Sequence, residues 1–340
     1  MTTTALLAWI SHYTGVSSLF YVLNRRRKRI ITYHNILPDA DFTGALHEGV
    51  SHAESAFASQ VEYLRQRSCD LQLDNESSVT ITFDDGYLNQ YAIAHPILKA
   101  AGLQAYFFVP VARLENDEPL AVDLILFWLS QVPKGKLAVA LPTPDGSLLQ
   151  LIITDDQSRL SCWQVIRRYL YSGNAPEAAI IEALDRCVPF DTIRLTVSAG
   201  YYRLRFGQIS AEALGEMRAS GHKIGPHSVS HHVMAALDDQ ALAADVASCV
   251  SQPAFNTDVF SYPFGGIDEV TPRVIESVRT HGFSQAVGNM NAPLIEGMAY
   301  GEHFLPRLSL PNTDKRYLMS FVLSGAKYFL QYGRLFPAWQ

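Results

Sequence analysis

Val79-Thr80-Ile81-Thr82-Phe83-Asp84-Asp85-Gly86-Tyr87 is a β-branched and aromatic run that ends in two adjacent carboxylates. The run reads as a buried strand. The charges fall at its C-terminal end, Gly86 supplies a permissive turn, and a helical pattern follows over Leu88 to Ala100, stopped by Gly102. In an α/β protein, active sites gather at that end of the strands. Two readings of the carboxylates stand side by side here. One is a metal ligand beside a proton-handling neighbour, since adjacent like charges need a cation or solvent between them. The other is a solvated turn in which one Asp caps the helix.

Working outward, Ile30-Ile31-Thr32-Tyr33-His34 reads as a shorter buried strand, which puts His34 at another strand end. A helical pattern with Phe57, Val61 and Leu64 on one face covers Phe57 to Arg67, and Ala105 to Pro110 reads as the next strand. This βα rhythm implies parallel strands. It breaks over 113–205, where a helix (Leu120 to Val132), a hairpin around Pro144-Asp145-Gly146 and helices at Cys162 to Tyr171 and Pro176 to Cys187 suggest an inserted α+β subdomain that shapes access to the site. The rhythm resumes with a helix at Ser210 to Ser220, the stretch Lys223 to His232, a helix at Asp238 to Ser251, and a strand end at Asp258 to Pro263. A helix at Thr271 to His281 and strands at Ser284 to Val287 and Leu305 to Leu310 complete it. Lys315 to Tyr332 reads as one long C-terminal helix. The expected organisation is an N-terminal helical and basic segment (1–29), a discontinuous α/β domain (30–112 and 206–312), the insertion (113–205) and the C-terminal helix (313–340).

Charged residues are 18% and hydrophobic residues 48% of 340, a globular composition with a rich interior. A net charge of -6 gives no broad basic face for nucleic acid. The four cysteines, Cys69, Cys162, Cys187 and Cys249, share no short spacing, so buried thiols in a reducing compartment are expected rather than a zinc knuckle or a disulfide framework. Ala5 to Leu23 is apolar and precedes Arg25-Arg26-Arg27-Lys28-Arg29, the reverse of the order in a signal peptide. Polar residues from His12 to Ser18 interrupt the run where a bilayer centre would lie. A helix packed on the domain and an interfacial helix with its basic end on anionic lipid both remain open.

His227 and His231 lie four apart, a spacing that stacks two imidazoles on one side of a helical turn and suits zinc and other first-row ions. Two His with one Asp would leave coordination positions open for water and substrate. The Thr82 to Tyr87 and His227 to His231 stretches resemble the first two motifs of the polysaccharide deacetylase family, the NodB-homology or carbohydrate esterase family 4 enzymes. Phe260-Ser261-Tyr262-Pro263-Phe264-Gly265 is similar to the third. The resemblance covers roughly 30–112 and 206–310. It implies an α/β fold, a distorted (β/α) barrel of the polysaccharide deacetylase type, with the insertion set into it.

By the same resemblance, Asp85, His227 and His231 bind the metal, expected to be Zn2+, with Co2+, Ni2+ and Mn2+ as alternatives. Asp84 is the general base, the backbone N–H of Tyr262 holds the oxyanion, and Ser228 steadies the ligand loop. Pro263 belongs to the third motif beside the substrate, and His34 matches a Tyr-His pair that lines the site in some branches. Two departures stand out. Ser261 occupies the place where the third motif often has an Arg that orients the base. The late Leu-x-His motif, whose His is the general acid, is replaced by Leu305-Pro306-Arg307, which leaves His303 as a proton donor or Arg307 as a charge stabiliser. The implied activity is metal-dependent removal of an N-acetyl group from a sugar of a polysaccharide or lipid-linked saccharide. Hydrolysis of a non-sugar amide at the same site, and a pseudoenzyme that binds metal or glycan without turnover, are the alternatives. The expected location is cytoplasmic, with peripheral contact at the inner face of the membrane through the N-terminal segment.

Overall fold

A computed structural model of the chain describes residues 2–42, 51–73, 78–134, 137–142, 148–171, 177–290 and 301–332. Its framework is a ring of short parallel strands: β1 (Arg29–Tyr33), β2 (Val79–Phe83), β3 (Tyr106–Val109), β4 (Lys223–Pro226), β5 (Val259–Ser261), β6 (Gln285–Gly288), β7 (Leu305–Pro306) and β8 (Leu308–Ser309). Five of them form one sheet in the order β8-β1-β2-β3-β4, and three form a second in the order β7-β6-β5. The pairings within both are parallel. Arg307 is the break between β7 and β8, so one extended segment joins the two sheets. The remaining seam lies between β4 and β5. There Asn256 substitutes for a ladder, accepting from Ile224 N through Oδ1 at 2.7 Å and donating its own N–H to Ile224 O at 3.0 Å. Gly225 faces this seam, where a Cβ would lie 2.9 Å from Val259 O. This is a distorted (β/α) barrel.

Strand alternation decides what fills the ring. Ile30, Tyr106, Phe108, Val259, Val287 and Leu305 from five strands make one buried cluster inside it. The other parity, including Ile31, Tyr33, Ile81, Phe83, Phe107 and Ile224, packs outward under the surrounding helices. Phe83 stacks on Phe107 with ring centroids 4.7 Å apart, so the strand that carries the carboxylates is anchored on its outer face. Thr82, Ser261 and Arg307 share the inward parity with Thr80, Val259 and Leu305. That period places them together at the mouth of the ring.

The insertion has its own hydrophobic core, built around Trp128, Val139, Leu151, Ile166, Ile180 and Leu184. Its hairpin strands, Leu137–Pro142 and Leu148–Ile153, are antiparallel as expected; Pro144-Asp145-Gly146 lies outside the described residues. Two helices that the sequence reading lacked, Phe190–Arg194 and Ala199–Phe206, close this unit. The four cysteines are free thiols.

The expected helix after the carboxylates is present, with a wide turn over Gln90–Ala94 before the regular His95–Ala101. Two expectations are corrected. The long C-terminal helix is two helices, Arg316–Leu323 and Ala326–Tyr332, parted at Gly325 with φ 83°. The carbonyls released there are taken up by Arg29 Nε on Leu323 O at 2.6 Å and Asn24 Nδ2 on Ser324 O at 2.8 Å. Finally, His227 to His231 is not a helical turn. It is an irregular loop in which Ser228 and His231 both have φ 60°.

Candidate metal centre

Asp84 follows β2 and keeps the inward parity of Thr82. At Asp85 the alternation ends, because its φ is 77° and that of Gly86 is 67°. Gly86 is required twice over, since a Cβ there would lie 2.7 Å from Val109 Cγ1. The turn swings the Asp85 carboxylate toward the loop after β4, where Oδ1 lies 3.4 Å from His227 Nε2 and 3.2 Å from His231 Nε2. All three side chains are buried, and their candidate ligand atoms lie within 4.8 Å of one another.

These residues fit a divalent ion by their chemistry. Asp85 Oδ1 is buried with no hydrogen-bond partner among the described residues, an arrangement that costs about 1–3 kcal/mol unless something else satisfies it. Bonds of ~2 Å to a tetrahedral ion would set ligand atoms about 3.3 Å apart, close to the two spacings from Asp85 Oδ1. His227 is held in the tautomer a metal needs: Nδ1 lies 2.7 Å from Ser261 O, so it carries the proton and Nε2 presents a lone pair. His231 N donates to Ser228 Oγ at 3.0 Å, and Ser228 O accepts from Val111 N at 3.0 Å, so Ser228 bonds both within the loop and to the segment after β3. Burial would raise the Asp85 pKa, but the charge of His231 and the closeness of both imidazoles hold it well below the usual carboxylate range.

Asp84 is fully buried beside this cluster and is gripped by Arg307. Nη1 donates to Oδ1 at 2.7 Å and Nη2 to Oδ2 at 2.5 Å, while Ser261 Oγ donates to Oδ1 at 3.1 Å. Arg307 also reaches Thr82 Oγ1 at 3.1 Å, Ser261 Oγ at 3.0 Å and Gly288 O at 3.2 Å. Burial would raise the Asp84 pKa; Arg307 and then His227 bring it below the ordinary value instead, so the group is an ionised acceptor. The two departures from the family motifs are therefore one rearrangement. The arginine absent at position 261 comes from position 307, and the small Ser261 leaves room for it.

Other expected residues fall differently. His34 lies at the site, with Nε2 3.8 Å from Asp84 Oδ2, and burial lowers its pKa against the pull of Asp85 and Asp84. His303 does not. Its Nε2 lies 2.9 Å from Phe283 O, before the start of β6 and so at the end of the ring opposite the carboxylates. Arg307 clamps Asp84 rather than standing free as a charge stabiliser. The Tyr262 N–H is also corrected as an oxyanion donor, because it extends the sheet by donating to Val287 O at 3.1 Å. Pro263 leads into Phe264 (φ 59°) and Gly265 (φ 66°), and the Phe264 ring packs 4.7 Å from that of His231. Asp85, Ser228, His231 and Phe264 are the non-glycine residues with positive φ among the described residues, and all four are at this site.

The sequence reading missed three contributors. Gln90 Nε2 donates to Asp84 O at 2.5 Å and His34 O at 3.0 Å, tying the ends of β1 and β2 together. Phe264 is the second. Asp123, from the insertion, is the third: Tyr87 Oη lies 2.9 and 2.8 Å from its two carboxylate oxygens. Burial, and then the Asp85 charge, push the Asp123 pKa up to about 6. The insertion thus contributes a carboxyl group beside the site, where the sequence reading gave it access alone.

Residues 194–286 match the polysaccharide deacetylase family model. That segment carries His227, His231 and the stretch around Ser261. The fold is similar to that of the Streptococcus pyogenes deacetylase PplD, solved in complex with acetate, with a TM-score of 0.53 at 13% identity over 86% of this chain and 97% of that one. It is similar also to a polysaccharide deacetylase from Bacillus cereus, with a TM-score of 0.51 at 12% identity over 88% of this chain and 68% of that one. No curated protein sequence matches the chain. Residues 194–286 thus match the polysaccharide deacetylase family, and the barrel around them is the fold of these two solved deacetylases.

Proposed function

We propose that this protein is a divalent-metal-dependent hydrolase that removes the N-acetyl group from a sugar of a polysaccharide or a lipid-linked saccharide. The observation that carries the reading is the pairing of two unlike carboxylates. Asp85 has an unsatisfied buried oxygen facing two imidazoles, and its neighbour Asp84 is ionised and locked by Arg307.

Asp85, His227 and His231 would hold the ion, with Zn2+ the first choice for this donor set. When bound, such an ion polarises a carbonyl oxygen and acidifies water. Asp84 then takes a proton from the attacking water. Its low pKa makes it a weak base, which is tolerable where the water is itself acidified. The carbon–oxygen bond forms, the carbon–nitrogen bond breaks, and the nitrogen leaves with a proton, giving acetate and an amine. With His303 on the far end of the ring, His34 is the imidazole beside Asp84 that can deliver that proton.

The test is acetate release from N-acetylated amino-sugar oligomers, lipid-linked N-acetyl saccharides and simple acetamides, before chelation, after it, and after zinc or cobalt is returned. Release from the saccharides alone, lost on chelation and restored by metal, is the expected result. Preference for the acetamides would move the substrate assignment to a non-sugar amide. One equivalent of bound metal without turnover of any substrate would favour the binding-only alternative.

A further inference from the structure

We propose that the N-terminal helical pair is a docking surface for an anionic lipid bilayer. Thr3–Tyr13 and Val16–Leu23 form two helices bent by 78° at Thr14-Gly15. Each packs small or polar residues inward: Ala8 and Ser11 from the first and Ser17 from the second are buried, and the two serine hydroxyls bond each other at 2.9 Å. Ala8 lies against Phe321 and Ala326 of the C-terminal helices. The large apolar side chains point the other way. Nine of fifteen exposed large hydrophobics among the described residues lie between Leu6 and Leu23, so this is one patch rather than scattered surface apolarity. Trp9, Tyr13, Leu19 and Leu23 are 46%, 67%, 57% and 58% exposed. Phe20 and Phe329, with ring centroids 5.1 Å apart, continue the surface onto the last helix, where Leu330 is exposed.

Charge identifies the occupant. The basic run that follows is divided by the fold. Lys28 and Arg29 are buried, Lys28 on Asp70 at 2.8 Å and Arg29 on the Leu323 carbonyl. Arg25 and Arg26 are exposed at the end of the apolar face. The sequence has no acidic residue before Asp39. An apolar face bearing Trp and Tyr and rimmed by arginines is complementary to the interface of an anionic bilayer. The helices have 11 and 8 residues, about 16 and 12 Å against the ~30 Å of a hydrocarbon core. With their inner faces held on the protein, they lie along the surface rather than across it.

The surface stands independently of the chemistry at the metal centre, so its test reads binding alone. Full-length protein is sedimented with vesicles of phosphatidylcholine and with vesicles of phosphatidylcholine mixed with phosphatidylglycerol. Binding to the mixed vesicles is expected to be at least about tenfold tighter and to weaken with added salt. Arg25→Glu with Arg26→Glu should weaken it about thirtyfold, and Leu19→Ser with Val22→Ser should weaken it on both vesicles. An unchanged melting transition controls for folding, and the arginine pair tests the idea even if the apolar pair fails to fold. Failure to bind, equal binding to both vesicles, or wild-type binding by the arginine variant overturns the proposal. So does a vesicle-free dimer lost in the Leu19→Ser, Val22→Ser protein, because a second copy would then cover the face.

Discussion

Arg307 and Asp84 meet through two parallel hydrogen bonds, of 2.7 and 2.5 Å, with neither side chain exposed to solvent. A bidentate pair of this kind fixes direction as well as charge. Arg307→Lys keeps the cation and loses the fork. Turnover should fall about 10- to 100-fold with metal content unchanged. The acid limb of the pH–rate profile should also move upward, because the lost fork removes hydrogen bonds from Arg307 that help to hold the Asp84 pKa down. Arg307→Ala leaves a buried carboxylate uncompensated and should cost about 3–5 kcal/mol of stability, read by urea unfolding.

The metal ligands are tested without turnover. Saturating zinc should raise the stability of the wild type by about 2.7 kcal/mol at a hundredfold excess over Kd. His231→Ala should show little of that gain. Calorimetric melts with and without zinc check this, and equal gains in both proteins would remove His231 from the site.

His34 and His303 lie at opposite ends of the strands, and their replacement separates two roles. His34→Gln should lower turnover by about 10²-fold. His303→Gln should stay within about threefold of wild type, because its ring meets the Phe283 carbonyl at the end of the strands away from the carboxylates. Steady-state rates at several pH values decide it. The reverse order would restore the late-motif donor.

Asp123 makes a pH prediction in the metal-free protein. Its folded pKa of about 6 is above the ordinary 3.8, so its contribution is fully present below pH ~4 and is lost as pH rises through ~6. The loss is at most ~3 kcal/mol. Asp123→Asn keeps an acceptor for Tyr87 without the charge. Relative to the wild type, the variant should gain stability between pH 4 and 7 in chemical denaturation, and a constant difference across that range would contradict the assignment.

Much of this site is written in local sequence. Val79 to Phe83 carries the strand pattern, Gly86 marks the turn, and the His227–His231 spacing marks a ligand pair. The geometry of that pair is not legible, since a left-handed Ser228 and His231 give no signal in residue type. Arg307 lies 223 positions from Asp84, and only the closed ring brings them together. Alternation offered a clue, for Leu305 and Arg307 share a face just as Thr82 and Asp84 do. Tyr262 misleads for a related reason. Its N–H lies one residue past β5, and whether it stays in the sheet depends on Val287, from another strand. Asp123 had a local signal, a lone carboxylate within Ala121-Val122-Asp123-Leu124-Ile125-Leu126, but its partner Tyr87 is supplied by the fold.

The central claim is the division of labour between the adjacent carboxylates. Asp84→Asn, measured for zinc content and acetate release beside the wild type, tests it most directly. The account predicts one zinc per chain in both proteins and acetate release reduced at least about 10³-fold in the variant. Release within about tenfold of wild type, or loss of zinc from Asp84→Asn, would contradict it.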